Sequence, residues 1–199
     1  VLLLPQAAPI NLEGLLNWDK FCVVAASASV TAPCMHRVMP HHFANTLLLC
    51  RTLRARGYAR IGLVIDADHD LRGAHGFTAA VTWHGLNESD QLIPPLVLTG
   101  PPGEQLRSWY VRERPDAVVA NELSSARDYA KVLGRKLSGP PPFFVTSCQG
   151  VVGGVAGINE RPKAIGAAAS DFLAGLIERR VRGRPESPVS TLLTGSWLE

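Results

Sequence analysis

Short apolar runs alternate along the chain with segments in which apolar side chains recur every three or four residues. This alternation predicts strands between helices. The predicted helices cover residues 12–18, 43–56, 73–84, 103–112, 124–137 and 163–182. The predicted strands cover residues 1–4, 21–26, 60–65, 92–98, 117–120, 143–146 and 190–197, and the stretch 27–40 reads as irregular.

Strands of four to seven apolar residues that alternate with helices favour parallel pairing. Each parallel connection needs a crossover of a dozen or more residues, and helices then cover both faces of the sheet. The pattern therefore predicts an α/β fold built from parallel, doubly wound sheets.

The amino-acid composition narrows the class of protein further. The chain has 199 residues, of which 46% are hydrophobic and 19% charged, as in ordinary globular proteins. A net charge of +3 is too small to predict a dedicated nucleic-acid-binding surface. The four cysteines are far apart in sequence, which indicates free thiols and a cytoplasmic location. No apolar run is long enough to span a membrane, and no signal peptide is visible.

Motifs for metal binding and catalysis are incomplete. Residues 66–70 begin like a calcium loop, but Leu71 and Phe77 stand where that loop needs glycine and glutamate. No HExxH helix, phosphate-binding loop or GxSxG turn occurs. We therefore expect no metal, no cofactor and no enzymatic activity.

Five segments, in order, resemble motifs of the ligand-binding core of the LacI/GalR family of transcriptional regulators. They are Leu-Arg-Ala-Arg-Gly-Tyr-Ala-Arg-Ile-Gly-Leu at 53–63, Asp-Leu-Arg-Gly-Ala-His-Gly-Phe at 70–77, Arg-Pro-Asp-Ala-Val-Val-Ala-Asn-Glu at 114–122, Ala-Ile-Gly-Ala-Ala-Ala-Ser-Asp-Phe-Leu at 164–173, and Leu-Thr-Gly-Ser-Trp at 193–197.

The resemblance implies a two-lobed fold like that of periplasmic sugar-binding proteins. The N-subdomain would take residues 1–57 and 158–186, and the C-subdomain residues 58–157 and 187–199. Relative to the family, the N-subdomain looks truncated and the DNA-binding headpiece is missing from the sequence. A secreted sugar-binding protein of an uptake system has the same fold and stays open as an alternative.

The family's function implies three partners. A small-molecule effector, a sugar or related metabolite, would bind in the cleft between the subdomains. Operator DNA would be read by an N-terminal helix-turn-helix, and the regulator would act as a homodimer, with the helix at 124–137 as part of the dimer surface.

Two candidate ligand contacts lie in the expected C-subdomain. Asn121 follows the apolar strand at 117–120, where the family binds a ligand hydroxyl, although an Asn there could instead cap the next helix. Arg72 lies near the family's pocket arginine, but its spacing from the following glycine differs by one residue. Arg72 could therefore pair with Asp68 or Asp70 instead.

Three further candidate ligand contacts were chosen because they lie just after predicted strands. Gln149 follows the strand at 143–146, where many relatives carry aspartate, and it could equally be an ordinary turn residue. Ser27 and Ser29 follow the strand at 21–26 and could offer hydroxyls from the N-subdomain. Trp83 and Trp109 lie in predicted helices, where core packing is the simpler expectation.

Overall fold

A computed structural model describes residues 1–6, 8–88, 91–148 and 155–199. The described strands are β1 (Leu2–Leu3), β2 (Ile10–Asn11), β3 (Val24–Ala25), β4 (Val30–Ala32), β5 (His36–Pro40), β6 (Ile61–Asp66), β7 (Leu96–Leu98), β8 (Ala117–Ala120), β9 (Phe143–Val145), β10 (Gly157–Asn159), β11 (Ser190–Leu193) and β12 (Ser196–Leu198). The helices are α1 (His42–Ala55), α2 (Ala67–Arg72), α3 (Gly76–Asn87), α4 (Glu104–Glu113), α5 (Leu123–Val132) and α6 (Pro162–Glu178), with a short 3-10 helix at Trp18–Lys20.

The chain forms two compact units. Unit 1 contains residues 1–41 and 161–194, and unit 2 contains residues 42–160 and 195–199. The backbone therefore passes from one unit to the other three times, and each unit is assembled from two separate stretches of sequence.

Unit 1 is built on a four-stranded parallel sheet in the order β1-β3-β5-β11. Helix α6 packs on this sheet because Ile165, Ala169 and Leu176 recur along one of its faces and meet Val24 and Val38. A second small sheet pairs β2 with β4.

Unit 2 is built on a six-stranded sheet in the order β12-β10-β9-β8-β6-β7. All its pairs are parallel except that of β12 with β10. All four residues of the central strand β8 are buried. Val118 and Ala120 join the core under α4 and α5, whereas Ala117 and Val119 join the core under α1 and α3. Helices thus cover both faces of the sheet, as the apolar runs predicted.

The predicted subdomain bounds differ from the two units. Helix α1 was assigned to the N-subdomain, but it packs against α3, β10 and β12 and belongs to unit 2. The second passage lies at 160/161 instead of 157/158, and the third at 194/195 instead of 186/187.

Four predicted elements are wrong. No helix is present at 12–18, where the chain forms turns before the short 3-10 helix at Trp18–Lys20. The stretch 27–40 contains β4 and β5, and β5 lies inside the unit 1 sheet. The single strand predicted at 190–197 is two strands, one in each unit. The helix predicted at 73–84 begins only at Gly76, because Ala74 and His75 adopt left-handed backbone conformations that separate it from α2.

Of the helices that the structure describes, none combines the length and apolar character needed to cross a bilayer. Within the same described residues, no group of three His, Cys, Asp or Glu side chains is arranged to hold a metal ion.

Candidate functional site

Polar side chains collect at the carboxyl edge of the unit 2 sheet. Strand β6 ends in Asp66, β8 is followed by Asn121, β9 by Thr146 and Ser147, and β10 by Glu160. In open parallel sheets, ligands bind outside this edge, because the strand ends place side chains from distant parts of the sequence side by side. We call this group, together with the neighbouring His42, His69 and Arg72, the polar edge.

The main chain of Asn121 is held firmly at this edge. Its carbonyl oxygen accepts hydrogen bonds from the Ser147 amide at 3.0 Å and from the Thr146 hydroxyl at 3.1 Å. Asn121 is 4% exposed, and its Oδ1 has no hydrogen-bond partner among the described residues. Helix α5 is preceded by Glu122 as its N-cap, without a side-chain capping bond, so the proposed capping role of Asn121 is wrong.

Asp66 lies half-buried beside Asn121. Burial raises the pKa of its carboxyl, the neighbouring Glu122 carboxylate raises it further, and a hydrogen bond from the Asn121 amide acts in the opposite direction. Asp66 also faces the buried Tyr129 from α5, and burial together with the Asp66 charge raises the pKa of that phenol. This part of the polar edge is therefore rich in acceptors and in negative charge.

The helix that follows β6 contributes His69 and Arg72. Arg72 Nη2 lies 2.8 Å from His69 Nδ1. Burial, and next the Arg72 charge, lower the pKa of His69 to about 4, so the ring is neutral at physiological pH and Nδ1 accepts the guanidinium hydrogen. Among the causes that act on His69 are also Glu122, Glu160 and His42, which places these groups around one region of the polar edge.

A third contact joins the two ends of the unit 2 segment. Nδ1 of His42, the first residue of α1, lies 3.2 Å from Glu160 Oε1, and the Ser147 hydroxyl donates to Glu160 Oε2 at 2.9 Å. The carboxylate stands between the serine and the histidine. The histidine therefore does not contact the hydroxyl that it would have to deprotonate, and the arrangement is not a hydrolytic triad.

The ligand contacts predicted from the sequence lie in different parts of the structure. Arg72 and Asn121 both lie at the polar edge, where Arg72 donates to His69. The Asp70 carboxylate accepts from His75 and Thr78. Gln149 lies outside the described residues.

Ser27 and Ser29 belong to unit 1, where their hydroxyls lie 2.6 Å apart. The Ser29 hydroxyl also accepts from the Gln6 amide at 2.9 Å, so the pair ties together the loops that follow β1 and β3. Ligand binding by Ser27 and Ser29 stays a prediction.

The two tryptophans behave differently. Trp109 is a core residue whose indole donates to the Pro94 carbonyl at 2.8 Å, as expected. Trp83 lies partly exposed on α3, edge-on to Phe43, so core packing is the wrong description for it.

Sequence reasoning missed six residues of the polar edge: His42, Asp66, His69, Thr146, Ser147 and Glu160. The rule that found Asn121 also covers two of them, because Asp66 and Ser147 directly follow predicted strands. No comparable signal marks Glu160, since β10 was not predicted.

Solved structures of transcriptional regulators share this fold. The transcriptional regulator CelR in complex with cellobiose matches with a TM-score of 0.60 and 17% identity, over 89% of this chain and 57% of that chain. A LacI family regulator from Enterococcus faecium with bound ribose matches at 0.61 and 13%, over 89% and 68%. The regulator CcpA of Lactococcus lactis matches at 0.64 and 12%, over 100% and 75%.

No protein-family model and no curated protein sequence matches the chain. The chain spans just over half of CelR and three quarters of CcpA, and at these identities the likeness concerns the fold. This likeness confirms the expected architecture: the chain has the α/β fold of the LacI-type transcriptional regulators.

Proposed function

We propose that the chain is the effector-binding core of a LacI-type transcriptional regulator and that the polar edge of unit 2 binds the effector. The observation that supports this most directly is the Asn121 side chain. It is buried at the carboxyl end of a central strand, and its Oδ1 has no partner in the described part of the chain. A buried acceptor without a partner costs stability unless something bonds to it, so a ligand donor is a natural partner.

The proposed effector is a small polar molecule of the carbohydrate type. The polar edge offers carboxylates, an amide, a hydroxyl and a guanidinium, which together suit a molecule with several hydroxyl groups. Two solved relatives in fold hold cellobiose and ribose. We propose binding as the role of the polar edge, because the solved structures that share the fold are transcriptional regulators.

The proposal includes a dimer and DNA. In this reading, the full-length protein forms a homodimer in the cytoplasm and reads operator DNA through a separate DNA-binding segment. The two-fold symmetry of the dimer predicts half-sites related by the same symmetry. Effector binding then alters DNA affinity, with a coupling of about 1–3 kcal/mol, as is typical between two linked sites.

Asn121→Ala tests the binding site. We expect sugar binding by the full-length protein to weaken by about 1–3 kcal/mol in calorimetry, because a ligand donor loses its acceptor. Asn87→Ala is the matched control, since the exposed Asn87 on α3 donates its side-chain amide to the Trp83 carbonyl and is not part of the polar edge. Equal affinity in the two variants would contradict the role of Asn121.

A gel-shift experiment tests whether the protein acts as a DNA-binding regulator. The full-length protein should bind the promoter region of its own gene selectively, and its effector should change that affinity. Selective sugar binding without any selective DNA binding would favour the secreted sugar-binding alternative.

A further inference from the structure

Helix α2 carries two residues of the polar edge, His69 and Arg72, but it is only six residues long. A helix of this length is not stable by itself, because its first turn fixes several residues for few hydrogen bonds. Within unit 2, α2 packs against β6, β7 and α3. The positions of His69 and Arg72 therefore depend on the contacts that hold α2 against these neighbours.

The turn between α2 and α3 contains two residues in a strained backbone conformation. Ala74 and His75 lie in the left-handed region, with φ of 52° and 59°, and neither is a glycine. Residues with a Cβ rarely adopt this region, and they stay in it only where the surrounding structure holds them there. A group beside the turn must therefore restrain it.

The carboxylate of Asp70, which is 3% exposed, supplies this restraint. Its Oδ2 accepts from the His75 ring Nδ1 and from the Thr78 hydroxyl, each at 2.9 Å, and its Oδ1 accepts from the Thr78 amide at 3.2 Å. Because a carboxylate can only accept, the His75 ring nitrogen carries the hydrogen. The Asp70 carbonyl also accepts from the His75 amide at 2.8 Å. One buried residue of α2 thus bonds to the strained turn and to the start of α3.

Asp70 also does the work of an N-cap for α3. His75 is the N-cap residue by position, but it makes no side-chain capping bond. Thr78 is the third residue of α3, and its amide is one of those that have no partner inside the helix. An N-cap side chain normally accepts from this amide, and here Asp70 accepts from it instead. The negative charge is also favourable at this end of the helix.

The start of α3 in turn places the rings of the polar edge. Phe77 is buried, and its ring centroid lies 5.2 Å from that of His69 and 4.5 Å from that of His42. A Cβ at Gly73 would lie 2.5 Å from Phe77 Cε2, so the end of α2 lies directly against this ring. A shift of the turn would therefore move His69 relative to Phe77 and disturb its contact with Arg72.

We propose that Asp70 is a positioning residue of the effector site, which holds the turn between α2 and α3 so that His69 and Arg72 meet the effector in a fixed arrangement. The carboxylate itself is bonded to His75 and Thr78 and does not touch the effector. Binding groups that are already held in place lose less freedom when a ligand arrives, so the affinity is higher. This inference rests on the proposed function, because it concerns the binding groups of that same site.

NMR titration of the His69 ring in the full-length protein tests the positioning role without any effector. Burial and the Arg72 charge lower the pKa of this ring to about 4, and the other groups that act on it are Glu160, His42 and Glu122. Asp70→Asn should move the titration midpoint upward by about one pH unit or more, toward the ordinary value of 6.5, because a displaced ring is less buried and farther from Arg72. Loss of the Asp70 negative charge alone would lower the pKa of a histidine, so a rise reports displacement of the ring.

Two control variants separate positioning from charge and from stability. Asp68→Asn removes the same charge from an exposed position of the same helix and should leave the His69 midpoint unchanged. Asp116→Asn weakens unit 2 before β6 and β8, where the carboxylate accepts two backbone amides, and should lower stability without moving that midpoint. If Asp70→Asn does not fold, Thr78→Val removes one donor to Asp70 with little change of shape and should raise the midpoint in the same direction.

Calorimetry with ribose, glucose, galactose and cellobiose supplies the second readout. For any of these sugars that the full-length protein binds, Asp70→Asn should weaken binding about tenfold or more, because its binding groups are no longer held in place. Asp68→Asn and Asp116→Asn should bind that sugar as tightly as the unchanged protein.

The outcomes separate the inference from the proposed function. A His69 midpoint that stays near pH 4 in Asp70→Asn and Thr78→Val would overturn the positioning role, and so would an equal rise in Asp116→Asn. Sugar binding that is unchanged in Asp70→Asn would overturn the inference and leave the effector-binding function intact. If none of the four sugars binds the unchanged protein, the proposed sugar effector is contradicted, and the His69 titration alone decides whether Asp70 positions the ring.

Discussion

The Asp116 carboxylate joins two neighbouring strands of unit 2 before either begins. Its Oδ2 accepts from the Ala59 amide at 2.8 Å and its Oδ1 from the Arg60 amide at 2.9 Å. The Asp116 amide in turn donates to the Arg60 carbonyl at 2.9 Å. These bonds fix the register in which β6 and β8 start, and we predict that unit 2 depends on them.

The expected loss of stability follows from the two hydrogen bonds that the Asp116 carboxylate accepts. A hydrogen bond to a charged group contributes about 1.5–3 kcal/mol, and water can replace part of this because the two amides are only partly buried. Asp116→Ala should therefore lower the free energy of unfolding by about 2–4 kcal/mol. Asp116→Asn should lose about half as much, since its one remaining oxygen can serve only one amide well.

Urea denaturation followed by tryptophan fluorescence measures the loss. Hydrogen exchange adds a local readout, because the Ala59 and Arg60 amides should lose their protection in Asp116→Ala. Asp128→Ala is the control, since Asp128 is an exposed acid on α5 without a side-chain hydrogen bond in the described residues.

The reasoning is refuted if the two amides stay protected in Asp116→Ala, or if Asp116→Ala and Asp128→Ala are equally stable. Either result would mean that the carboxylate does not set the start of the two strands.

Three further predictions concern single positions. Gly157→Ala should destabilise unit 2 by about 3 kcal/mol or more in urea denaturation, because a Cβ there would lie 2.2 Å from the Val145 carbonyl oxygen. Gly166→Ala, inside α6 with open space around it, should instead stabilise by about 0.5–1 kcal/mol, and an unchanged or lower midpoint would contradict this. NMR titration should find the His69 ring neutral down to about pH 4. Because that pKa lies below the unfolded value, stability should fall as the pH drops from about 6.5 toward 4, and His69→Gln should reduce this fall.

The sequence predicted best those elements whose signal is local. Strand β8 was predicted with its observed bounds, since four consecutive apolar residues between turns have no reasonable alternative. Strand β5 was missed because His36, Arg37 and Pro40 interrupt its apolar pattern, although its neighbours β3 and β11 complete the sheet around it. That information lies in pairing partners far away in sequence, which a local pattern does not contain.

The residues of the candidate site also divide into those with a local sequence signal and those without one. Asn121 was found because it directly follows a strand that could be recognised. The contact between His42 and Glu160 could not be found, because these residues are separated by almost the whole of unit 2 and each is ordinary in its own surroundings. The packing of α1 beside β10 brings them together.

The three passages of the chain between the units also bear on how the protein folds. Nearly all residues of unit 2 come from the continuous stretch 42–160. Unit 1, in contrast, forms only when residues 1–41 pack against residues 161–194. Strand β5 can pair with β11 only after that whole intervening stretch has been made, so unit 1 must close a very long loop. Synthesis proceeds from the N-terminus, so residues 1–41 are made long before helix α6, which packs on their sheet. We therefore expect unit 2 to fold before unit 1 is complete.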